Sequence, residues 1–357
     1  MPKKSYDTAT LPRHFCRHLK KLWEHEKQPP KRLLIAVSGG VDSIALLHLM
    51  VNCQKKLGLK LAIGHFHHGL RAESDAEATA IEQLAEQLNL PCFIDHWQPP
   101  TDGYNLPARA RHARYHALHN QAQQFAAQLI CTAHHQDDQV ETFFERLLLR
   151  GSGVRGLGGI RSVAPIPLGP EKQSTIQLFR PLLDQPKQQL VQWLEAQQIP
   201  WFEDASNLDQ RYTRSKLRHT LIPYLEQEIT QQPIAKRMAE TATRLQEADE
   251  ALEWTLNEQW TKLQIEPIEP KGLQLNVEHL LLWPKELQSR TLDRLIMQLC
   301  GGSPLSARAK SGFSYHLNNL GKSWRIRIRG VEVIRDENRL CFRPTNEPPR
   351  KRSESNH

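Results

Sequence analysis

No stretch of this chain approaches the roughly 18 consecutive apolar residues that mark a membrane-spanning helix. The opening residues, Met1–Tyr6 and onward, are charged and lack the apolar core of a secretory leader, so the expected location is cytoplasmic. Cysteine is sparse and scattered, at Cys16, Cys53, Cys92, Cys131, Cys300 and Cys341. With no Cys-x-x-Cys pair, the spacing offers neither a zinc knuckle nor an iron–sulfur site, and buried reduced thiols are the expected state. The Gly-Lys-Ser/Thr of a Walker loop is missing, as is the His-Glu-x-x-His of a zinc hydrolase. No internal repeat or long low-complexity tract is present, which removes solenoids and arrays.

What remains is an ordinary globular composition. The 357 residues suffice for two domains, with 39% hydrophobic and 24% charged residues. An excess of 47 Lys+Arg over 39 Asp+Glu gives a formal charge of +8, which favours a polyanionic partner only weakly by itself.

The first 150 residues alternate short apolar runs with amphipathic stretches. Strands are expected at Leu33–Val37, Leu59–Phe66, Cys92–Ile94 and Leu129–Ala133. Helices are expected between and after them, at Ser43–Leu57, Glu73–Leu88, Pro107–Ala127 and about Gln136–Leu149. This alternation predicts an α/β fold, a parallel sheet with helices on both faces, in which ligands bind beyond the carboxyl ends of the strands. A glycine-rich connection follows at Gly151–Gly159, then a strand at Ile176–Phe179 and a helix at Lys187–Gln198. Thr230–Pro233 reads as a linker into a smaller, mainly helical domain that opens with a long helix, Ala235–Leu263, and ends in a β-hairpin within Ser323–Arg343. There Arg325, Arg327 and Arg329 alternate with Trp324, Ile326 and Ile328, so the arginines share one face. A solvated charged face and a phosphate-facing strip both account for that pattern.

The most informative string is Ser38-Gly39-Gly40-Val41-Asp42-Ser43, between the first strand and the first helix. Two glycines let the backbone turn tightly and approach an anion with no side chain in the way. The helix that follows points free N–H groups and the positive end of its dipole at that anion. Ser38 and Ser43 add hydroxyls, and Asp42, which would repel phosphate alone, is suited to hold Mg²⁺ on it.

Two further blocks fall at carboxyl ends of strands. His65-Phe66-His67-His68-Gly69-Leu70-Arg71 follows the second strand, and His134-His135-Gln136-Asp137-Asp138-Gln139-Val140-Glu141-Thr142 follows the fourth. Helical spacing puts Asp138 and Glu141 on one face, with His134 one turn earlier. Zinc competes for such residues, but paired carboxylates suit Mg²⁺ or an ammonium group better, and Asp137 alone is adequately explained as a helix cap. Between these blocks, Arg109, Arg111 and Arg114 offer forked donors for carboxylate or phosphate, or else a solvated face. A charged segment, Glu203–Arg218, carries Arg214 and Arg218.

Taken in order, these blocks resemble the tRNA(Ile)-lysidine synthetases of the PP-loop ATP pyrophosphatase superfamily, whose fold is adenine nucleotide alpha hydrolase-like. The resemblance rests on Ser38–Ser43, His67–Arg71, Ala110–Tyr115, His134–Thr142, Arg150–Gly153 and Asp204–Arg218, with Arg214-Ser215 standing where that family often has Arg-Asn. It implies ATP-dependent adenylation of the wobble cytidine in a CAU-anticodon isoleucine tRNA, followed by attack of free lysine. It implies ATP and Mg²⁺ as required species, no zinc or iron–sulfur centre, and a homodimer. Among the site residues it implies ATP binding by Ser38–Ser43 and His65, and catalysis by Asp42, His134, Asp138 and Glu141. Lysine falls to Arg114, Asp138, Glu141 and Arg214; tRNA falls to Arg71, Arg111, Arg218, Arg325 and Arg327. The carboxylate and phosphate roles of Arg114, Arg214 and Arg218 stay interchangeable at this level. The implied organisation is a catalytic domain at 1–225, a tRNA-binding domain at 235–345 and a disordered basic tail at 346–357. Rival readings are a PP-loop tRNA thiolase, a small-molecule amidating ligase, and a non-enzymatic RNA-binding module with a degenerate nucleotide site. The scattered cysteines count against the first, the basic C-terminal region against the second, and the intact Ser38, Asp42, Ser43, Asp138 and Glu141 against the third.

Overall fold

Leu33, Leu34 and Ile35 are fully buried in succession, so the first strand is covered on both faces, the requirement of a parallel sheet wrapped by helices. The computed structural model describes residues 8–24, 26–69, 74–100, 104–150, 152–169, 174–202, 213–302, 304–319 and 321–345. Arg71, the stretch 203–212 and the tail 346–357, each singled out by sequence, lie outside the described residues.

The element order is α1 (Leu11–Leu22), β1 (Arg32–Ala36), α2 (Val41–Leu57), β2 (Lys60–His67), α3 (Ser74–Leu88) and β3 (Cys92–His96). It continues with α4 (Leu106–Gln124), β4 (Leu129–Cys131), α5 (Gln136–Arg150), β5 (Val163–Pro165), β6 (Gln177–Phe179) and α6 (Lys187–Ala196). The strands join in the order β3-β2-β1-β4-β6-β5, parallel throughout except for β5. The chain leaves β1 toward β2 on one side and returns to β4 on the other. A crevice therefore opens between β1 and β4 at their carboxyl ends, where open α/β sheets bind ligands.

The α/β expectation is met. α1, which the apolar alternation of strands does not announce, packs Leu11, Phe15 and Leu19 at four-residue intervals into the same core as α2 and α6. Gly58 ends α2 in the left-handed conformation at φ +62°, the backbone state that glycine adopts without strain.

By its internal contacts the chain divides into two units, residues 1–149, 158–168 and 172–243 forming one, and 150–157, 169–171 and 244–357 the other. The division falls within α7 (Ala235–Trp260). The second unit continues with β7 (Glu266–Ile268), β8 (Gly272–Asn276), α8 (Val277–Leu281), α9 (Lys285–Cys300), α10 (Ala307–Asn319), β9 (Ser323–Ile328), β10 (Val331–Asp336) and β11 (Arg339–Pro344). The expected hairpin belongs to a five-stranded antiparallel sheet, ordered β7-β8-β11-β10-β9. Val331, Val333, Leu340 and Phe342 on its inner face pack against Leu292, Leu295 and Ile296 of α9. Arg290, nearly inaccessible, is neutralised by Asp249 at 2.7 Å, Glu253 at 2.7 Å and Glu286 at 2.9 Å. Among the described residues no helix is long and apolar enough to cross a membrane.

Candidate active site

The loop after β1 is braced from within. Ser38 donates both its backbone N–H and its hydroxyl to Ser43 Oγ, at 3.2 and 3.3 Å, and Ser43 Oγ donates to the Gly40 carbonyl at 2.9 Å. Gly39 sits at φ +89°, and a Cβ there would also come within 3.0 Å of the Phe202 ring. Phe202 N–H donates to the Gly39 carbonyl at 3.0 Å, and Gly40 and Phe202 form a parallel bridge. No side chain caps α2; Ser43 N–H donates to the Gly40 carbonyl at 3.0 Å, and the helix N-terminus still presents its positive end to an anion. His65, buried behind the loop, approaches the Val37 carbonyl through Nδ1 at 2.8 Å; since a carbonyl only accepts, that nitrogen carries the hydrogen. Burial lowers its pKa, so it braces β1 as a neutral ring.

Asp42, on the first turn of α2, holds two cations on one oxygen. Its Oδ2 lies 3.3 Å from Lys187 Nζ and 3.6 Å from His135 Nε2. Burial by itself would raise its pKa, but the two cations outweigh burial and hold it below the usual carboxylate value. Its Oδ1 is buried with no hydrogen-bond partner.

His135, nearly inaccessible, occupies the centre of three carboxylates. Nε2 lies 3.6 Å from Asp42 and 3.5 Å from Asp138, and Nδ1 lies 3.5 Å from Asp137. Burial opposes the charged ring; Asp137, Asp42 and Asp138 overcome it and raise the pKa to about 10, so His135 is an imidazolium at neutral pH. The adjacent His134 is the opposite case. Burial drives its pKa down to about 4 against the pull of Asp138, with Arg180, Arg114 and Arg111 lowering it further. It is neutral, and its Nδ1 lies 3.0 Å from Thr132 Oγ1.

Asp138 and Glu141 point from one face of α5, as their spacing predicts. Asp138 Oδ2 accepts the His135 N–H at 2.9 Å, and Oδ1 lies 3.9 Å from Arg218. Glu141 Oε1 accepts from Arg218 Nε at 2.6 Å, while Oε2 is buried without a partner. Burial raises the Glu141 pKa in spite of Arg218. Arg214 donates to Glu145 at 3.2 Å and to Thr142 Oγ1 at 3.1 Å. Arg218 and Arg214 are thus both engaged by α5. Arg111 and Arg114, exposed on α4, lie over the Tyr115 ring at 5.0 and 5.4 Å. In the second unit, Arg325 lies 3.6 Å from Glu332, and Arg327 pairs in register with Glu332.

Sequence reasoning missed His135, Lys187 and Arg180. For His135 the doubled histidine was the signal, but nothing in a dipeptide says which ring turns inward. Lys187 begins α6, and its N–H donates to Asp137 Oδ2 at 2.9 Å; Asp137 therefore caps a helix some fifty residues away. No sequence pattern announces a contact made by neighbouring strands.

Among the described residues no group of three or more His, Cys, Asp or Glu forms a metal-holding cluster. Mg²⁺ needs only one or two protein carboxylates when phosphates supply other oxygens, and the partnerless Oδ1 of Asp42 is an oxygen donor of that kind. The residues fit the ion.

A braced, glycine-containing loop at a β1/β4 crevice, faced by carboxylates, defines a class: the chain carries a PP-loop domain, and that family matches residues 11–225. It is 33% identical over 288 residues to a tRNA(Ile)-lysidine synthase of Nostoc sp., covering 77% of this chain and 80% of that one. It is 39% identical over 227 residues to the tRNA(Ile)-lysidine synthase of Ruegeria pomeroyi, covering 64% of this chain but about half, 51%, of the relative. The chain belongs to the tRNA(Ile)-lysidine synthase family, whose members are ATP-dependent ligases. Its fold is also similar to that of a U34-tRNA thiolase from Methanococcus maripaludis, with a TM-score of 0.54 at 16% identity over 68% of this chain and 81% of that chain; at that identity the likeness concerns fold alone.

Proposed function

We propose that this chain converts the wobble cytidine of a CAU-anticodon isoleucine tRNA to lysidine. The observation that carries the reading is the pairing of an ATP-type loop with Asp138 and with Glu141, whose Oε2 is buried and partnerless. Such a pair fits a cationic amine that must lose a proton before it can attack. In the first step cytosine O2 attacks the α-phosphorus of ATP; a P–O bond forms and pyrophosphate leaves. In the second the lysine ε-amine, relieved of its proton, attacks C2; a C–N bond forms and AMP departs with the former O2. An unactivated carbonyl oxygen is a poor leaving group, and adenylation removes that obstacle.

Asp42 would hold Mg²⁺ on the phosphates, where the ion supplies neutralisation of the charge that builds on the departing pyrophosphate. Ser38, Ser43 and the amides of residues 39–43 would bind the phosphates, and His65 would keep the loop in place. The neutral His134 would hydrogen-bond a substrate without adding charge. Arg114 and Arg214 would reach the lysine carboxylate, and Arg71, Arg111, Arg218, Arg325 and Arg327 the tRNA. The proposed organisation is catalytic at 1–225 and tRNA-binding at 235–345, with 346–357 a basic tail; a homodimer is part of the reading. The thiolase alternative needs reactive cysteines. Instead burial pushes Cys131 up to about 12 and Cys92 up to about 11, which keeps both as thiols.

Lys187, 3.3 Å from Asp42, carries its charge on a flexible four-carbon stem and is suited to follow the pyrophosphate as it leaves. Lys187→Ala is expected to raise the KM for ATP and slow pyrophosphate release by ~10–100-fold, the worth of one charge-assisted contact. Unchanged values for both would remove Lys187 from the ATP site.

The whole reading is tested by incubating the chain with ATP, Mg²⁺, radiolabelled lysine and unmodified CAU-anticodon isoleucine tRNA, with methionine tRNA as control. Label in the isoleucine tRNA alone supports it. AMP release without label keeps the superfamily and discards lysine as the donor.

A further inference from the structure

Arg180 follows β6 on the carboxyl edge of the sheet, and the residue is only 9% exposed. Its side-chain hydrogen bond is to the Arg161 carbonyl, to which Nη1 donates at 2.8 Å, and Tyr115 and Arg111 lie close enough to act on it electrostatically. Its Nε is buried and unpartnered. Tyr115, itself buried, is the ring over which Arg111 and Arg114 lie, and Arg180, Arg114 and Arg111 all act on the neighbouring His134. Among the described residues none of the three makes an ion pair with a carboxylate. The contrast with Arg290, also buried but ringed by Asp249, Glu253 and Glu286, is direct. Burying a guanidinium without a counter-charge is costly, and Arg180 shows the strain: burial, then Arg111, lower its pKa. A bound anion would relieve both burdens, and the forked guanidinium suits a two-oxygen acceptor.

We propose that Arg180, with Arg111 and Arg114 around Tyr115, forms an oxyanion site for the acceptor substrates, taking either a phosphodiester of the RNA strand beside the target base or the carboxylate of the incoming amino acid. The identity of those substrates rests on the lysidine reading; the oxyanion site itself does not. β6 is two strands from β1, about 10 Å across the sheet, on the β4 side. The anion is therefore set apart from the strand that carries the phosphate loop and lies on the side of α5, whose Asp138 and Glu141 must reach the acceptor.

The test uses the full chain and its Arg180→Gln variant, with thermal melting to verify folding. One arm measures the Kd for a transcript of the isoleucine tRNA across a salt series; the other measures the KM for lysine. A tenfold or greater rise in tRNA Kd, with the salt slope reduced by about one, supports the site with a phosphodiester as its ligand. A comparable rise in lysine KM at unchanged tRNA Kd supports it with the carboxylate. A folded variant altered in neither arm overturns the proposal. Should Arg180→Gln not fold, Arg180→Lys, which keeps the charge and loses the fork, is read by the tRNA Kd and the lysine KM alone: a tenfold or greater rise in either at an unchanged salt slope supports the site, and a folded variant with neither changed overturns it. If the wild-type chain binds tRNA yet never incorporates lysine, the lysidine reading fails while the binding arm still decides the anion site.

Discussion

Replacing Asp42 with alanine is expected to cut tRNA-dependent pyrophosphate release about 10³-fold, the scale on which a preorganised charge-stabilising group matters. Two losses coincide. The oxygen best suited to a divalent cation disappears, and His135 and Lys187 lose the carboxylate that both face. Asp42→Asn separates them, because it keeps the shape and one oxygen acceptor while removing the charge. Release near the wild-type rate in Asp42→Ala would sink the assignment of the loop. Tight ATP binding without release would place Asp42 in the chemistry instead of the grip.

Glu141→Gln is expected to split the two half-reactions. A free lysine amine has a pKa near 10.4, so nearly all of it is protonated at neutral pH and a base must intervene. General-base assistance contributes about 10²–10⁴-fold, and lysine transfer should fall within that range while adenylation continues. The carboxyl is well placed for the task. Burial raises its pKa, which makes it a better proton acceptor, and Oε2 is unengaged although Oε1 binds Arg218. Pyrophosphate release followed by accumulation of adenylated tRNA is the measurement. If both half-reactions fell together, Glu141 would belong to the ATP site.

The sheet is legible because its strands are covered on both faces and so read as unbroken apolar runs; Leu33–Val37 and Leu129–Ala133 correspond to β1 and β4 within two residues at either end. The loop is legible because its demand for glycine is local, as Gly39 at φ +89° illustrates. Asp138 and Glu141 are legible because one helix fixes their relation. Lys187 and Arg180 are not, since each reaches the crevice through strand order: β6 must pair with β4, and α6 must pack on α2, before either side chain is near anything. Charge state is hidden for a similar reason. His134 and His135 are identical letters in sequence; burial, helped by nearby guanidiniums, makes the first a neutral base, and three carboxylates overcome burial to make the second a cation. The α5 partners of Arg214 and Arg218 are hidden too, because a charged segment reveals its charge and not its counter-ion.

The bridge between Gly40 and Phe202 carries a consequence for how the enzyme comes into being. A chain emerging from the ribosome completes α2 and its loop long before residue 202 is synthesised, and until then Gly39 lacks both the N–H that binds its carbonyl and the ring that flanks it. Lys187 arrives late as well. A nascent fragment of the first 150 residues would carry the whole Ser38–Ser43 string yet present it unbraced. The final bracing of the loop is therefore timed to the later part of translation, after the strands that close the far side of the sheet have been made.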